Sequence, residues 1–299
     1  MTDNRKSYIY AVLTVIFWST VASAFKLTLR HLDVYQMIFF SVLTSTVLMF
    51  TVMIVQNKLL ILKYISLYEW VQSLGLGMLV PGMYYLVLFR AYDLLPAQEA
   101  QPLNMIWPLV VVVLSASLLK QKIGWITILS LLISFSGVLI ISTRGDPFSL
   151  NLTNMEGTIL ALVSALIWSL YWIGNVRDQK DEGVKLFINS ISGLIFVSVL
   201  LVLFSDFTIR IQEGLWGAVY IGVFEMGLTF ITWLKALSLA KTSAHVSRLI
   251  YIVPFLSLIQ INYFLGEKIL ISTVMGLVFV IVGILTCQLE RESNLERLN

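Results

Sequence analysis

One acidic side chain lies deep inside a long apolar stretch of the chain. Glu225 falls about ten residues into the stretch 215–237, and Thr229 and Trp233 follow it at four-residue spacing, so the three share one helical face. An ionisable group at membrane depth needs a partner or a water-filled cavity, and it marks a functional site by default. Glu225 is therefore a candidate proton carrier or a partner for a substrate ammonium. The alternative is a structural hydrogen bond to a neighbouring helix.

Aromatic side chains recur at helical spacing in a second stretch, 156–175. Trp168 and Tyr171 share one face there, and Trp18 lies near the middle of the first apolar stretch. Such a face suits a substrate that is itself flat or apolar. The alternative is a packed helix interface with an interfacial aromatic belt, which fits Trp172 near the end of its stretch.

A third stretch, 97–119, combines polar side chains with two prolines. Glu99 and Asn104 lie in its first half, and Pro102 and Pro108 remove backbone donors, which should kink the helix. Backbone groups freed in this way are tolerated at membrane depth only where they face protein or water. The stretch is therefore predicted to line a cavity or to form a gate. The alternative is a kink that only improves packing.

Charged side chains near the ends of the stretches are candidates for gates. They are Lys26, Arg90 and Glu99 toward one side of the membrane, and Lys235, His245 and Arg248 toward the other. Such clusters could pair when a mouth closes, or attract a substrate. The alternative is snorkelling of the charged groups to the lipid headgroups, which suits Lys26 and Lys235 best. Arg248 lies deeper and is the strongest candidate.

These candidates form two groups. The candidates for substrate contact are Trp18, Tyr85, Asn104, Trp168, Tyr171, Glu225, Thr229, Trp233, Arg248 and Tyr251. The candidates for gates or charged mouths are Arg90, Glu99, Pro108, Lys235, His245 and Pro254.

Composition shows what kind of element carries these residues. The chain of 299 residues is 58% hydrophobic and 12% charged, with a mean hydropathy of +0.88. Soluble domains are roughly half apolar and a quarter charged, so the composition indicates an integral membrane protein. The basic residues lie at helix ends and form no patch, and nucleic-acid binding is not expected. The single cysteine, Cys287, excludes an intramolecular disulfide.

Motifs for catalysis are missing from the sequence. It contains no H-E-x-x-H, no G-x-S-x-G, no P-loop and no Cys/His cluster. We therefore expect neither an enzyme nor a bound metal or cofactor. The missing ATP site also excludes a primary pump within this chain.

Ten stretches reach the length of about 20 mostly apolar residues that a spanning helix needs. The predicted spans, numbered one to ten, are 8–27, 34–55, 70–92, 97–119, 124–141, 156–175, 186–204, 215–237, 244–264 and 269–289. The connections between the spans are short, and we expect the last ten residues to form a solvated tail.

The distribution of Lys and Arg predicts the orientation of the spans. With the N-terminus inside, the cytoplasmic segments hold Arg5, Lys6, Lys58, Lys63, Lys120, Lys122, Arg177, Lys180, Lys185, Lys241, Arg291 and Arg297. The opposite segments hold Arg30, Arg144, Arg210 and Lys268. Both termini are therefore predicted to be cytoplasmic.

The two halves of the chain repeat each other. The matched positions are Trp18-Ser19 with Trp168-Ser169, Arg90-Ala91 with Lys235-Ala236, Pro108 with Pro254, and Gly137 with Gly283. Because each half has five spans, an odd number, the halves must enter the membrane in opposite senses. Inverted repeats are typical of alternating-access transporters, with the substrate bound between the halves. We expect a first repeat at 1–148, a second at 149–289 and a tail at 290–299; the alternative is chance similarity between apolar helices.

At these positions the sequence resembles the drug/metabolite transporter superfamily, in its ten-helix EamA-type branch. The resemblance rests on Trp18-Ser19 and on the run 236–285, which holds Pro254, the Gly266-Glu267-Lys268 turn and Gly283. In span four, Glu99, Asn104 and Trp107-Pro108 resemble the E-x4-N-x2-W-P run of the YddG-type aromatic amino-acid exporters. Gln121 departs from the pattern, since many members carry Glu there. The resemblance implies a ten-helix basket around a central cavity and export of small metabolites.

Residues and resemblance together predict an all-α membrane protein with ten helices in two inverted five-helix repeats around a central cavity. We expect a secondary transporter of the bacterial inner membrane that exports aromatic or hydrophobic amino acids by alternating access. The alternative substrates are cationic drugs, nucleotide sugars and phosphorylated metabolites. The expected partners are the substrate and the lipid bilayer, with proton coupling left open, and the expected state is a monomer or loose dimer.

Overall fold

The computed structural model describes residues 3–118, 124–146, 152–205, 212–240, 246 and 248–296. Within these ranges the chain is helical and contains no β-strand. The α-helices are α1 (Asp3–Leu29), α2 (Val34–Val55), α3 (Leu67–Gly77), α4 (Tyr84–Leu94), α5 (Ala97–Asn104), α6 (Trp107–Leu118), α7 (Trp125–Ser142), α8 (Met155–Arg177), α9 (Glu182–Phe204), α10 (Gln212–Phe224), α11 (Leu228–Leu239), α12 (Val253–Leu265) and α13 (Ile271–Glu296).

The all-α membrane class is confirmed. Among the described residues, nine helical segments are long and apolar enough to cross a membrane. Predicted span four is the exception, because it is divided into the short helices α5 and α6. We call the end of the bundle where α1 begins the N-terminal end, and the other the opposite end.

Four predicted spans are interrupted. A π-type turn, Met78–Met83, separates α3 from α4 and contains Pro81. A turn at 225–227 separates α10 from α11, and a 3₁₀ helix, Arg248–Ile252, precedes α12. In span four, Met105 and Ile106 form a turn before Pro108 of α6. Proline accounts for the break in span three, since it removes a backbone donor from the helix interior.

Side chains of neighbouring helices satisfy backbone groups at these breaks. The Ser45 hydroxyl donates to the Met226 carbonyl at 2.9 Å, and the Thr229 hydroxyl donates to the Phe224 carbonyl. The Ser169 hydroxyl of α8 donates to the Trp107 carbonyl at 3.0 Å. These bonds are required because hydrocarbon offers a broken helix no alternative partner.

Small residues allow α7 and α13 to cross closely. A Cβ on Gly137 would collide with the Gly276 carbonyl, and a Cβ on Gly283 would collide with Ser130 and Ser134. The Ser134 hydroxyl donates across the crossing to the Val280 carbonyl at 3.1 Å. Close backbone approach through small residues is a common way for membrane helices to associate.

Replacing Gly283 with Ala should destabilise the protein. The added methyl meets the backbone of Ser130 as well as the Ser134 side chain, and we expect the free energy of unfolding to fall by about 1–3 kcal/mol. Gly75→Ala is the matched control, because nothing lies within 4 Å of a Cβ built there. Unfolding of both variants in detergent, followed by circular dichroism, checks this; equal stabilities would contradict it.

Candidate functional site: an aromatic cavity above a buried carboxylate

A cavity of about 510 Å³ lies in the N-terminal half of the bundle. It is walled by α6, α8, α11, the 3₁₀ helix and α13, and it reaches Arg177, the last residue of α8. Its aromatic lining residues are Trp107, Trp172, Trp233 and Tyr251. We call this space the aromatic cavity. Its size falls within the range of roughly 300–1,000 Å³ found for small-molecule sites.

An aromatic cluster centred on Trp168 lies beneath the aromatic cavity. The Trp168 ring centroid is 4.6 Å from that of Tyr84, 5.8 Å from Phe230 and 6.3 Å from Trp107. Trp168 is only 6% exposed, and its indole nitrogen has no hydrogen-bond partner among the described residues. The Trp168 ring therefore packs behind the lining residues Trp107 and Trp172 and carries an unused donor.

Glu225 lies in the break between α10 and α11. Its carboxylate accepts a hydrogen bond from the Tyr85 hydroxyl at 2.9 Å. The second carboxylate oxygen, Oε2, is buried and has no partner among the described residues. The predicted membrane-depth acid thus has one occupied oxygen and one oxygen free to take a proton or a donor.

Asn104 joins three helices at the end of α5. Its amide nitrogen donates to the Ser164 hydroxyl of α8 at 2.8 Å, and its amide oxygen accepts from the Tyr84 hydroxyl of α4 at 3.3 Å. The side chain therefore couples the broken span four to its neighbours, and its polar groups are in use in this conformation.

The structure brings most of the predicted substrate-contact residues together. Trp18, Tyr85, Trp168, Tyr171, Glu225 and Trp233 are linked to each other by ring contacts or hydrogen bonds, directly or through Tyr84 and Phe230. Of all the predicted site residues, Pro108, Trp233 and Tyr251 line the aromatic cavity. Trp18, Tyr85, Trp168, Tyr171 and Glu225 belong to the linked cluster and do not line the cavity.

The remaining predicted residues lie apart from the cluster. The Thr229 hydroxyl is used by the Phe224 carbonyl, and Arg248 begins the 3₁₀ helix that lines the cavity. Pro254 is buried in the first turn of α12, and Lys235 is exposed near the end of α11. His245 lies outside the described residues.

Two lining residues of the aromatic cavity, Trp172 and Trp107, were not predicted from the sequence. Trp172 was expected in an interfacial belt, yet it lines the cavity and lies 6.3 Å from Trp168 between ring centroids. Trp107 was noted only as part of a motif. The three- and four-residue spacing that links Trp172 to Trp168 is the signal that could have identified it.

Polar contacts close the opposite end. The Glu267 carboxylate accepts from the backbone N–H groups of Ala97 and Gln98 at 3.0 and 3.2 Å, so it caps the start of α5. The Gln98 side chain donates to the Lys268 carbonyl at 2.9 Å and accepts from the Leu270 N–H at 3.0 Å. These contacts tie α5 to the segment between α12 and α13.

Of the predicted mouth residues, Glu99 adds to this closure. Glu99 is 1% exposed and pairs with Arg144 of the segment after α7 at 2.9 Å. Arg90 is half-exposed and pairs with Asp93 at 2.7 Å, so it lies at the rim.

The expectation that Lys26 snorkels to the headgroups is wrong. Its ammonium donates to the backbone carbonyls of Tyr92 and Leu95, at 2.7 and 3.0 Å. These are carbonyls at the end of α4 that the helix itself leaves unpaired. Lys26 thus caps a neighbouring helix.

At the N-terminal end, an ion pair links the segment after α2 to the start of α9. Lys58 and Asp181 lie 2.8 Å apart. Partial burial raises the pKa of Asp181, but hydrogen bonds from Lys58 and from the N–H groups of Val184 and Gly183 outweigh it, and the pKa falls below its ordinary value. Asp181 therefore stays ionised at neutral pH.

Among the described residues, no group of three or more His, Cys, Asp or Glu side chains is placed to hold a metal ion.

Comparison with known families identifies the fold. The profile of the EamA-like transporter family matches residues 5–143 and again residues 155–287. The chain belongs to the EamA-like transporter family.

Relatives of this EamA-like transporter cover between about half and nearly all of the chain. An uncharacterized transporter of Clostridium kluyveri is 27% identical over 93% of this chain and 92% of its own length. An aromatic amino acid exporter, YddG, of Ancylobacter novellus is 26% identical over 55% of this chain and 56% of its own. A solved protein crystal structure superposes with a TM-score of 0.66 at 18% identity, covering 96% of this chain and 97% of that one, which shows a shared fold.

Replacing Glu267 with Gln should weaken the cap on α5 that helps to close the opposite end of the bundle. Hydrogen bonds to an ionised group contribute about 1.5–3 kcal/mol, and Gln retains only a neutral acceptor. We expect a several-fold population shift away from the conformation described here. The measurement is the rate of thiol labelling of a Ser115→Cys reporter, placed in the aromatic cavity in a Cys287→Ser background, which should fall.

Glu69→Gln is the control for that experiment. Glu69 also caps a helix start, accepting from the Ser66 N–H at 2.8 Å, but it lies at the N-terminal end of α3. Labelling that slows equally in both variants, or in neither, would contradict a specific role of Glu267 in closure.

Proposed function

We propose that this EamA-like transporter exports aromatic or hydrophobic amino acids from the cytoplasm by alternating access. The observation that supports this most directly is the aromatic cavity, in which three tryptophans and a tyrosine surround a space of about 510 Å³. Aromatic walls favour a flat, apolar side chain through stacked and edge-to-face contacts. The distant similarity to an aromatic amino acid exporter supports the same substrate class.

The orientation of the transporter follows from its charged residues. Most Lys and Arg residues outside the predicted spans fall in segments that the sequence assigns to the same side as the N-terminus, and we propose that this side is cytoplasmic. The conformation described here is then open to the cytoplasm and closed on the outside by Glu267, Gln98 and Glu99. Export would begin with loading from this state.

Alternating access would exchange the roles of two inverted halves. The contact of Gly137 with Gly276 and that of Gly283 with Ser130 are interchanged by a shift of 146 residues, which is the reciprocity that an inverted repeat predicts. The two matches of one family profile support the same proposal. A second state would then open at the opposite end by breaking the Glu267 cap.

A transporter of nucleotide sugars or phosphorylated metabolites is the main competing proposal. Such substrates carry two or more negative charges and need several cationic partners. Among the described residues that line the aromatic cavity, Arg177 alone is charged. The cavity therefore favours a substrate with an apolar body.

Uptake into proteoliposomes tests the substrate class. We expect saturable uptake of labelled Phe, Trp, Leu or Met, and Trp107→Ala should lower kcat/KM for the aromatic substrates at least about threefold, since an aromatic contact contributes roughly 0.5–1.5 kcal/mol beyond its buried area. Trp216→Ala is the matched control, because Trp216 is 68% exposed on the outside of α10. If the folded protein takes up none of these amino acids, the substrate class is wrong.

Glu225→Gln tests whether protons take part in the cycle. The variant keeps the acceptor for the Tyr85 hydroxyl but cannot bind and release a proton. We expect uptake driven by a pH gradient to be lost, while exchange of substrate across the membrane without a gradient continues. The comparison uses wild type and variant with and without the gradient; a gradient effect that survives in the variant rules out Glu225 as the proton site.

A further inference from the structure

A second cavity lies beside the first, at the end of α8. It has a volume of about 320 Å³ and is walled by the last turn of α8, the loop to α9, the first turn of α9 and Leu234 of α11. We call it the polar cavity. Trp172 and Val176 line both cavities, so the two spaces meet along one face of α8.

Two acidic and two basic side chains line the polar cavity. Asp178 and Lys180 pair at 2.9 Å, with side chains only 1% and 7% exposed. Lys185, 4% exposed, pairs with Glu182 at 2.7 Å and donates to the Asp178 carbonyl at 3.2 Å. Burying ion pairs rarely adds stability over apolar packing. The set is balanced in charge, so it best accommodates a ligand without net charge.

Three buried polar atoms of this wall have no hydrogen-bond partner among the described residues. They are the Asp178 Oδ2 and Asn175 Oδ1 oxygens, which accept, and the Trp172 indole N–H, which donates. A buried polar group without a partner is costly. A ligand that carries both an ammonium and a carboxylate would satisfy the two acceptors and the donor together.

The helix ends around the polar cavity reinforce this pattern. α8 ends at Arg177 and α9 begins at Glu182. The carboxyl end of a helix carries partial negative charge and the amino end partial positive charge. The cavity lies between the two ends, so an ammonium is favoured at the last turn of α8, which holds Asn175, and a carboxylate at the first turn of α9, which holds Lys185.

We propose that the polar cavity binds the ammonium and carboxylate groups of a zwitterionic substrate, whose side chain extends past Trp172 into the aromatic cavity. Asp178 and Asn175 accept from the ammonium, and the Trp172 indole and Lys185 donate to the carboxylate. This inference rests on the proposed function, because it takes an amino acid as the substrate. It makes the head group, as well as the side chain, a determinant of selection.

Three ligands with the same ring separate the two charged groups. L-Phenylalanine carries both, 2-phenylethylamine carries the ammonium alone, and 3-phenylpropanoate carries the carboxylate alone. Their dissociation constants are measured by isothermal titration calorimetry with the purified full-length protein in detergent. Asp178→Asn should weaken phenylalanine and phenylethylamine about tenfold, because a charge-assisted hydrogen bond is lost, and leave phenylpropanoate unchanged.

Trp172→Phe should give the reciprocal result. It keeps an aromatic ring in the wall but removes the N–H donor together with part of the indole. Phenylalanine and phenylpropanoate should therefore bind several-fold more weakly, and phenylethylamine should lose clearly less affinity than either. This variant decides the question if Asp178→Asn fails to fold. The matched controls are Asp93→Asn, at the opposite end, and Lys63→Gln, an exposed lysine after α2.

The outcomes separate the two proposals. If wild type binds phenylalanine but neither variant shows the head-group pattern, the polar cavity is not the head-group site and the proposed function stands. If the folded wild type binds none of the three ligands, the amino-acid substrate and the polar-cavity site both fail.

Discussion

The structure depends on one constraint, which is that every backbone group freed by a broken membrane helix must find a partner within the protein. An unpaired peptide group in hydrocarbon costs several kcal/mol. Four spans are nevertheless broken, and partners at the breaks come from helices distant in sequence: Ser45 serves the Met226 carbonyl and Ser169 serves the Trp107 carbonyl. The helix ends between spans three and four are served in the same way, by Lys26 at the end of α4 and by Glu267 at the start of α5. The breaks are therefore also the points that hold the bundle together.

The same bonds create the functional surfaces. The turn that frees the Met226 carbonyl also places Glu225 against Tyr85, and the break before Pro108 turns Trp107 toward the Trp168 cluster. In an unbroken helix the backbone carbonyls are bonded within the helix. Such a helix could therefore not offer free carbonyls and a carboxylate at the same level of the bundle. Side-chain bonds to a helix end are also easier to exchange than a continuous helical ladder, because each can be replaced by water when a mouth opens. The residues that satisfy the broken backbone are thus also the residues whose hydrogen bonds can exchange when a mouth opens.

The spacing of residues along the sequence identified which side chains share a helix face, but not which helices pack against each other. It placed Glu225 inside an apolar stretch and Trp168 with Tyr171 on one face, and the structure shows all three side chains buried. It could not show that Tyr85 meets Glu225, 140 residues away, because that contact depends on which helices pack together. The break at Val80–Pro81 was open to prediction from Pro81, whereas the break at Glu225 contains no proline. Lys26 was misjudged because snorkelling and capping both suit a lysine near a helix end, and only the position of α4 separates them.

The two mouths differ in the residue found at positions that correspond in the two halves of the sequence. Glu267 caps α5 with a carboxylate, and the position 146 residues earlier holds Gln121. A neutral amide oxygen accepts hydrogen bonds about half as strongly as an ionised carboxylate. If the halves exchange roles during transport, the cap that closes the N-terminal end would be the weaker of the two. The conformation closed by Glu267 should then be the more stable state of the empty protein, which is the state that the proposed export would use for loading.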